Sequence, residues 1–97
     1  MIKSYILSEQ AQEQLKEIYK HGYINFGEQQ AESYFTALCN RFDAITQNPF
    51  AYPTIENIRH GYRRSLCGKH SIFYKIANDR IEIIAILKTQ NIIDFLI

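Results

Sequence analysis

The chain has 97 residues, 46% of them hydrophobic and 13% aromatic, with 7 Tyr and 6 Phe but no Trp. That suits one compact domain spanning 1–97 and leaves no room for a second core. A formal net charge of +1 excludes a strong overall field of the kind that marks a general nucleic-acid or membrane binder.

Residues 2–7, Ile-Lys-Ser-Tyr-Ile-Leu, mix alternation with β-branched and aromatic side chains and predict a short strand. Ser8 interrupts it and is placed to cap a helix, with Glu9 favourable to the helix dipole. Ala11, Leu15, Ile18 and Tyr19 then recur at helical spacing, and this helix is expected to run to about Ile24. Asn25-Phe26-Gly27 reads as a turn. A second, longer amphipathic helix follows on the stripe Ala31, Tyr34, Phe35, Leu38, Phe42 and Ile45, and Asn48-Pro49 ends it because a residue before proline is pushed out of the helical region. A short turn between two helices predicts an antiparallel hairpin.

Phe50 to Asn57 contains Pro53 and neither period, so it is expected to be an irregular link. Strands are predicted at 58–66, 71–77 and 81–87, separated by the turn-forming stretches Cys67-Gly68-Lys69-His70 and Asn78-Asp79-Arg80. The order β-α-α-β-β-β predicts an α+β fold, a helical hairpin packed on one face of a mainly antiparallel sheet. Its expected core comprises Leu15, Ile18, Phe35, Leu38, Phe42, Ile72, Tyr74, Ile83 and Ile86. Cys39 and Cys67 are too far apart in sequence for a zinc or thiol-redox motif. Nothing supplies a metal constellation, and no cofactor or metal is expected. The opening MIKSYILSEQ lacks a long apolar signal core and no apolar run approaches the ~20 residues of a membrane span, so a cytoplasmic protein is expected.

Charge is unevenly distributed. Glu9, Glu13, Glu17, Glu28 and Glu32 fall early, whereas Arg59, His60, Arg63, Arg64, Lys69, His70 and Lys75 fall together later. Arg59, Arg63, Arg64, Lys69 and His70 are candidates for an electropositive docking patch, against the simpler alternative of a solvated surface. As neighbours on a strand, Arg63 and Arg64 should point to opposite faces.

The ordered motifs Leu7-Ser8 with Ala11, Leu15 and Ile18, then Phe26-Gly27, Ala31-x-x-Tyr34 and Asn48-Pro49, resemble the amino-terminal half of ParE-type toxins in the RelE/ParE superfamily. Ile58-Arg59-x-Gly61-Tyr62-Arg63-Arg64, Gly68-Lys69-His70-x-Ile72-Phe73-Tyr74 and Ile81-x-Ile83-x-x-Ile86-Leu87 resemble that family's strand signatures. The resemblance implies a toxin that is neutralised by a ParD-like antitoxin and inhibits DNA gyrase by binding, with no bond chemistry of its own. It leaves open a homodimer or a hetero-oligomer with the antitoxin, and implies neither membrane association nor sequence-specific nucleic-acid binding. Where relatives carry a His after the final Ile-Leu, this sequence has Lys88, and the tail after it is apolar. Lys88, Phe95 and Leu96 therefore join the candidate contacts to target or antitoxin. Two alternatives are a ribosome-dependent mRNA endonuclease and a copy that only binds antitoxin. The nuclease alternative calls for acid–base groups near the carboxy terminus, yet no Tyr or His follows Tyr74.

Overall fold

A computed structural model describes residues 4–56 and 59–89. Its elements are β1 (Tyr5–Leu7), α1 (Glu9–Phe26), α2 (Glu28–Gln47), β2 (Tyr62–Cys67), β3 (His70–Ala77) and β4 (Arg80–Lys88). The strands form one sheet in the order β1-β4-β3-β2. β1 runs parallel to β4, while the β2–β3 and β3–β4 pairs are antiparallel. The expected architecture is thus present, with one parallel pair at its edge.

Ser8 joins strand to helix by two hydrogen bonds of its hydroxyl. Its Oγ accepts the Ala11 N–H at 3.0 Å, as a cap should, and donates to the Ile84 carbonyl at 2.7 Å. β1 ends at Leu7, opposite Ile83, so further along β4 the backbone has no strand on that side. The cap and α1 replace it: Ser8 donates to the Ile84 carbonyl and Gln14 Oε1 accepts the Ile86 N–H at 2.6 Å.

The first helix extends to Phe26, two residues past the predicted end, because Gly27 alone makes the turn. At φ 94 it leaves the helical region in a single step that a Cβ would oppose. The helices then pack closely where Gly22 meets Ala31. The strand expected at 58–66 begins only at Tyr62. Residues 59–61 form a turn, with Gly61 at φ 81, and Ile58 lies outside the described residues. The next turn is shorter than expected: Gly68 and Lys69 alone make it, and Cys67 and His70 are paired strand residues.

The sheet has two apolar faces. Toward the helices, Cys67, Ile72, Tyr74, Ile81, Ile83 and Ile86 pack with Ala11, Leu15, Leu38, Phe42 and Ile45. On the reverse, Phe73 and Ala85 are buried beneath Ile55, with Tyr62 and Leu87 beside them. The hydroxyl of buried Tyr74 donates to the Pro49 carbonyl at 2.6 Å, anchoring the loop that leaves α2. Of the expected core, Ile18 is only partly buried and Phe35 is 37% exposed. Phe35 sits at the margin of the α2 stripe, where the ring meets Tyr19 of α1 edge-on at 5.9 Å rather than meeting the sheet. Tyr23, Ile24 and Phe26 are also exposed around the hairpin tip.

Candidate functional site

Folding separates the charges that the sequence distributes. Residues 9–47, which contain both helices, carry six acidic against three basic side chains, net −3; residues 59–89 carry seven basic against two acidic, net +5. The helices therefore carry the acidic excess and the strands with their turns the basic one, so the two favour partners of opposite character.

The strand residues do not form one patch. Arg63 faces the helices, where its Nη1 donates to the Tyr52 carbonyl at 2.7 Å and its guanidinium lies 5.1 Å from the Phe50 ring centroid. It fastens the 50–56 loop. Arg64 faces the reverse of the sheet, where its Nε donates to Ser71 Oγ at 3.2 Å. Arg59 lies over the Tyr62 ring at 5.5 Å. Lys69 and Lys88 are exposed, and Lys88 pairs across the ladder with His70. Phe95 and Leu96 lie outside the described residues. Arg41, which the sequence did not single out, covers the outer edge of β2 by donating to Ser65 Oγ and the Leu66 carbonyl.

His70 is only 8% exposed and belongs to a clamp. The Tyr34 hydroxyl of α2 lies 2.6 Å from His70 Nδ1 and accepts the Lys69 N–H at 3.0 Å. The same hydroxyl donates to the Cys67 carbonyl at 3.2 Å, and the direction of its bond with Nδ1 follows the imidazole tautomer. Burial, then the charges of Lys88 and His21, hold the His70 pKa below its ordinary value, which keeps the ring neutral. Burial raises the Tyr34 phenol, against which the Lys69 hydrogen bond acts. Gly68 lets the turn approach this ring. Its φ is 59, and a Cβ there would stand 2.6 Å from Tyr34 Cε1.

On the other side, α1 and α2 form an open, mostly apolar groove of 720 Å³ lined by Leu7, Leu15, Tyr19 and Phe35, with Gln12, Lys16, Glu32 and Thr36 at its polar margins. Phe35 is lost to the core because it lines this groove. Lys16 is paired with Glu13 at 3.6 Å. Among the described residues no group of three potential ligands is placed to hold a metal ion, and no helix is long and apolar enough to cross a membrane.

The architecture is a helical hairpin on a four-stranded mixed sheet. Two solved structures share it. A chromosomal ParDE toxin–antitoxin system protein from P. aeruginosa superimposes with TM-score 0.78, at 17% identity over 91% of this chain and 96% of that one. A YoeB/ParE toxin from Agrobacterium tumefaciens gives 0.66, at 12% identity over 89% and 98%. Residues 5–93 match the family described as the ParE toxin of the type II toxin-antitoxin system, parDE. Toxin ParE1 of Mycobacterium tuberculosis is 33% identical over 95 residues, 97% of each chain. Toxin ParE1 of Caulobacter vibrioides is 35% identical over 86 residues, 89% of this chain and 88% of that one. The chain belongs to the ParE toxin family, as the strand motifs led one to expect.

Proposed function

We propose that this toxin acts in the cytoplasm by binding DNA gyrase, holding it in a cleaved or strained complex with DNA, and that a ParD-like antitoxin neutralises it. The observation that carries the reading is the division of charge: strands and turns with a cationic excess suited to an acidic target, and an apolar groove between acidic helices suited to a different segment. His70, the only imidazole on the described strands, supports binding over catalysis because its ring is buried and its Nδ1 is engaged by Tyr34. A general acid or base must instead reach the proton it transfers.

In this reading an amphipathic antitoxin segment with basic residues lies in the groove. Such a segment buries its apolar face against Leu15, Tyr19 and Phe35 while its cations meet the helical carboxylates. The test is Phe35→Glu, which alters an exposed ring without opening the core. Loss of an aromatic anchor together with a new carboxylate should weaken antitoxin binding by about 2 kcal/mol or more. Inhibition of supercoiling by purified gyrase should persist and become resistant to antitoxin. Unchanged neutralisation of the Phe35→Glu protein would remove the groove from the account.

A further inference from the structure

On the reverse face of the sheet, the Arg64 side chain is held by a relay that runs from β2 through β3 to Thr89, just beyond β4. Arg64 Nε donates to Ser71 Oγ at 3.2 Å. Ser71 Oγ and Thr89 Oγ1 are 3.5 Å apart, and Thr89 Oγ1 donates to the Lys69 carbonyl at 3.3 Å. With the last proton committed to that carbonyl, the polarity of the relay is set: guanidinium to Ser71, Ser71 to Thr89, Thr89 to backbone. Each hydroxyl accepts one bond and donates one, so the bonds reinforce one another. Ser71 is completely buried and can serve no ligand directly. Its hydroxyl can only orient the arginine.

Using Nε in this way leaves the two terminal Nη groups of a half-buried arginine with no hydrogen-bond or ion-pair partner among the described residues. Arg63 and Arg41, by contrast, spend terminal nitrogens on the protein's own carbonyls. A guanidinium fixed through Nε presents its planar fork in one orientation, the geometry that a carboxylate or phosphate meets with two parallel hydrogen bonds.

The surroundings decide between those anions. Leu66, 54% exposed, stands on this face beside Arg64, with Leu87 and Tyr62 nearby. A phosphate backbone would call for several cations directed the same way. Here Lys75 is paired with Glu82 at 3.6 Å, and Arg63 and Lys88 point toward the helices. A guanidinium oriented through Nε beside apolar side chains, with Arg59 already stacked on the Tyr62 ring, fits an acidic residue flanked by hydrophobic ones in a protein partner. We infer that Arg64, positioned by Ser71 and Thr89, is a carboxylate-binding site on the reverse face of the sheet, which receives an Asp or Glu side chain of a protein partner.

The identity of that partner, target or antitoxin, rests on the toxin reading above, whereas the site itself does not. Two kinds of measurement keep them apart. In the first, the full chain is titrated with glutarate and, separately, with inorganic phosphate while the Arg64 Nε–H resonance is followed. The site predicts a saturable shift, larger with glutarate, that is absent in Arg64→Gln. In the second, Arg64→Lys and Arg64→Gln are assayed for antitoxin affinity and for gyrase inhibition. Arg64→Lys keeps the charge and loses the fork, so it should weaken one of the two interactions by about ten- to a hundredfold, and the one weakened identifies the source of the carboxylate. Ser71→Ala, once its spectrum shows a native fold, should displace the Arg64 Nε resonance and weaken the same interaction by about three- to tenfold. If wild-type protein binds neither partner, the toxin reading fails while the glutarate titration still judges the site. A larger response to phosphate than to glutarate, or full activity of Arg64→Lys in both assays, would overturn the proposal.

Discussion

Replacing Gly68 by alanine tests the clamp that ties α2 to the β2–β3 turn. At φ 59 an alanine costs about 1 kcal/mol from backbone sterics alone. The new Cβ would also lie 2.6 Å from Tyr34 Cε1 and 2.7 Å from its hydroxyl oxygen, so the ring must retreat by several tenths of an ångström. That retreat strains the hydrogen bonds of the phenol oxygen with Lys69 N–H and His70 Nδ1, each worth about 1 kcal/mol. The sum is roughly 3 kcal/mol, or a fall in Tm of roughly 15 °C for a domain of this size. Gly61→Ala is the internal control: its φ is 81, but among the described residues no atom lies within 4 Å of the added Cβ, so only the backbone cost of about 1 kcal/mol applies. Thermal and urea unfolding of both variants, repeated in a Tyr34→Leu background, isolates the contact. Gly68→Ala should cost about 2 kcal/mol less once the phenol is gone. Equal costs for Gly68→Ala and Gly61→Ala, or no dependence on residue 34, would refute the clamp.

Ser8→Ala removes both the cap and the donor to Ile84 and should cost about 2 kcal/mol in urea unfolding; Ser8→Asp should recover only the cap, and Ser8→Thr nearly everything. A loss under ~0.5 kcal/mol for Ser8→Ala would show that β4 has no need of this hydroxyl. For His70 the linkage follows from its lowered pKa. The unfolded chain takes up the proton first, near the ordinary value of 6.5, so stability is full above that pH and falls as pH drops toward the depressed native value. His70→Gln should flatten this part of a pH–stability curve, and an unchanged slope would mean that another group is responsible.

Much of this fold can be read along the chain because its signals are local. Ser8 marks the strand-to-helix junction, Asn48-Pro49 stops α2, and the alternating runs define three strands whose order leaves few topologies. Errors occur where the deciding contact is distant. Phe35 shares the stripe with Leu38, yet which margin of a stripe meets the sheet depends on how the helices are rotated against it. The strand expected from 58 was delayed to Tyr62 because Arg59 to Gly61 make a turn that β-propensity does not reveal. Site residues are less legible still. Arg63 and Arg64 were separated correctly by alternation, but the partner that distinguishes them, Ser71 for Arg64 and Tyr52 for Arg63, is set by sheet register and loop path. Tyr34 resembled any other core aromatic. The glycine at position 68, beside a lysine and a histidine in a tight turn, was the one local sign that something approached closely there.

The central claim, a toxin that binds gyrase and performs no chemistry, is tested most directly by one side-by-side assay. Purified toxin is added to gyrase with supercoiled and relaxed DNA, and to ribosomes translating a defined messenger, each also with His70→Gln protein shown to be folded. The account predicts loss of supercoiling with accumulation of cleaved gyrase–DNA complex, intact messenger, and the same outcome for both proteins. Untouched gyrase together with ribosome-dependent cuts in the messenger that disappear with His70→Gln would contradict it.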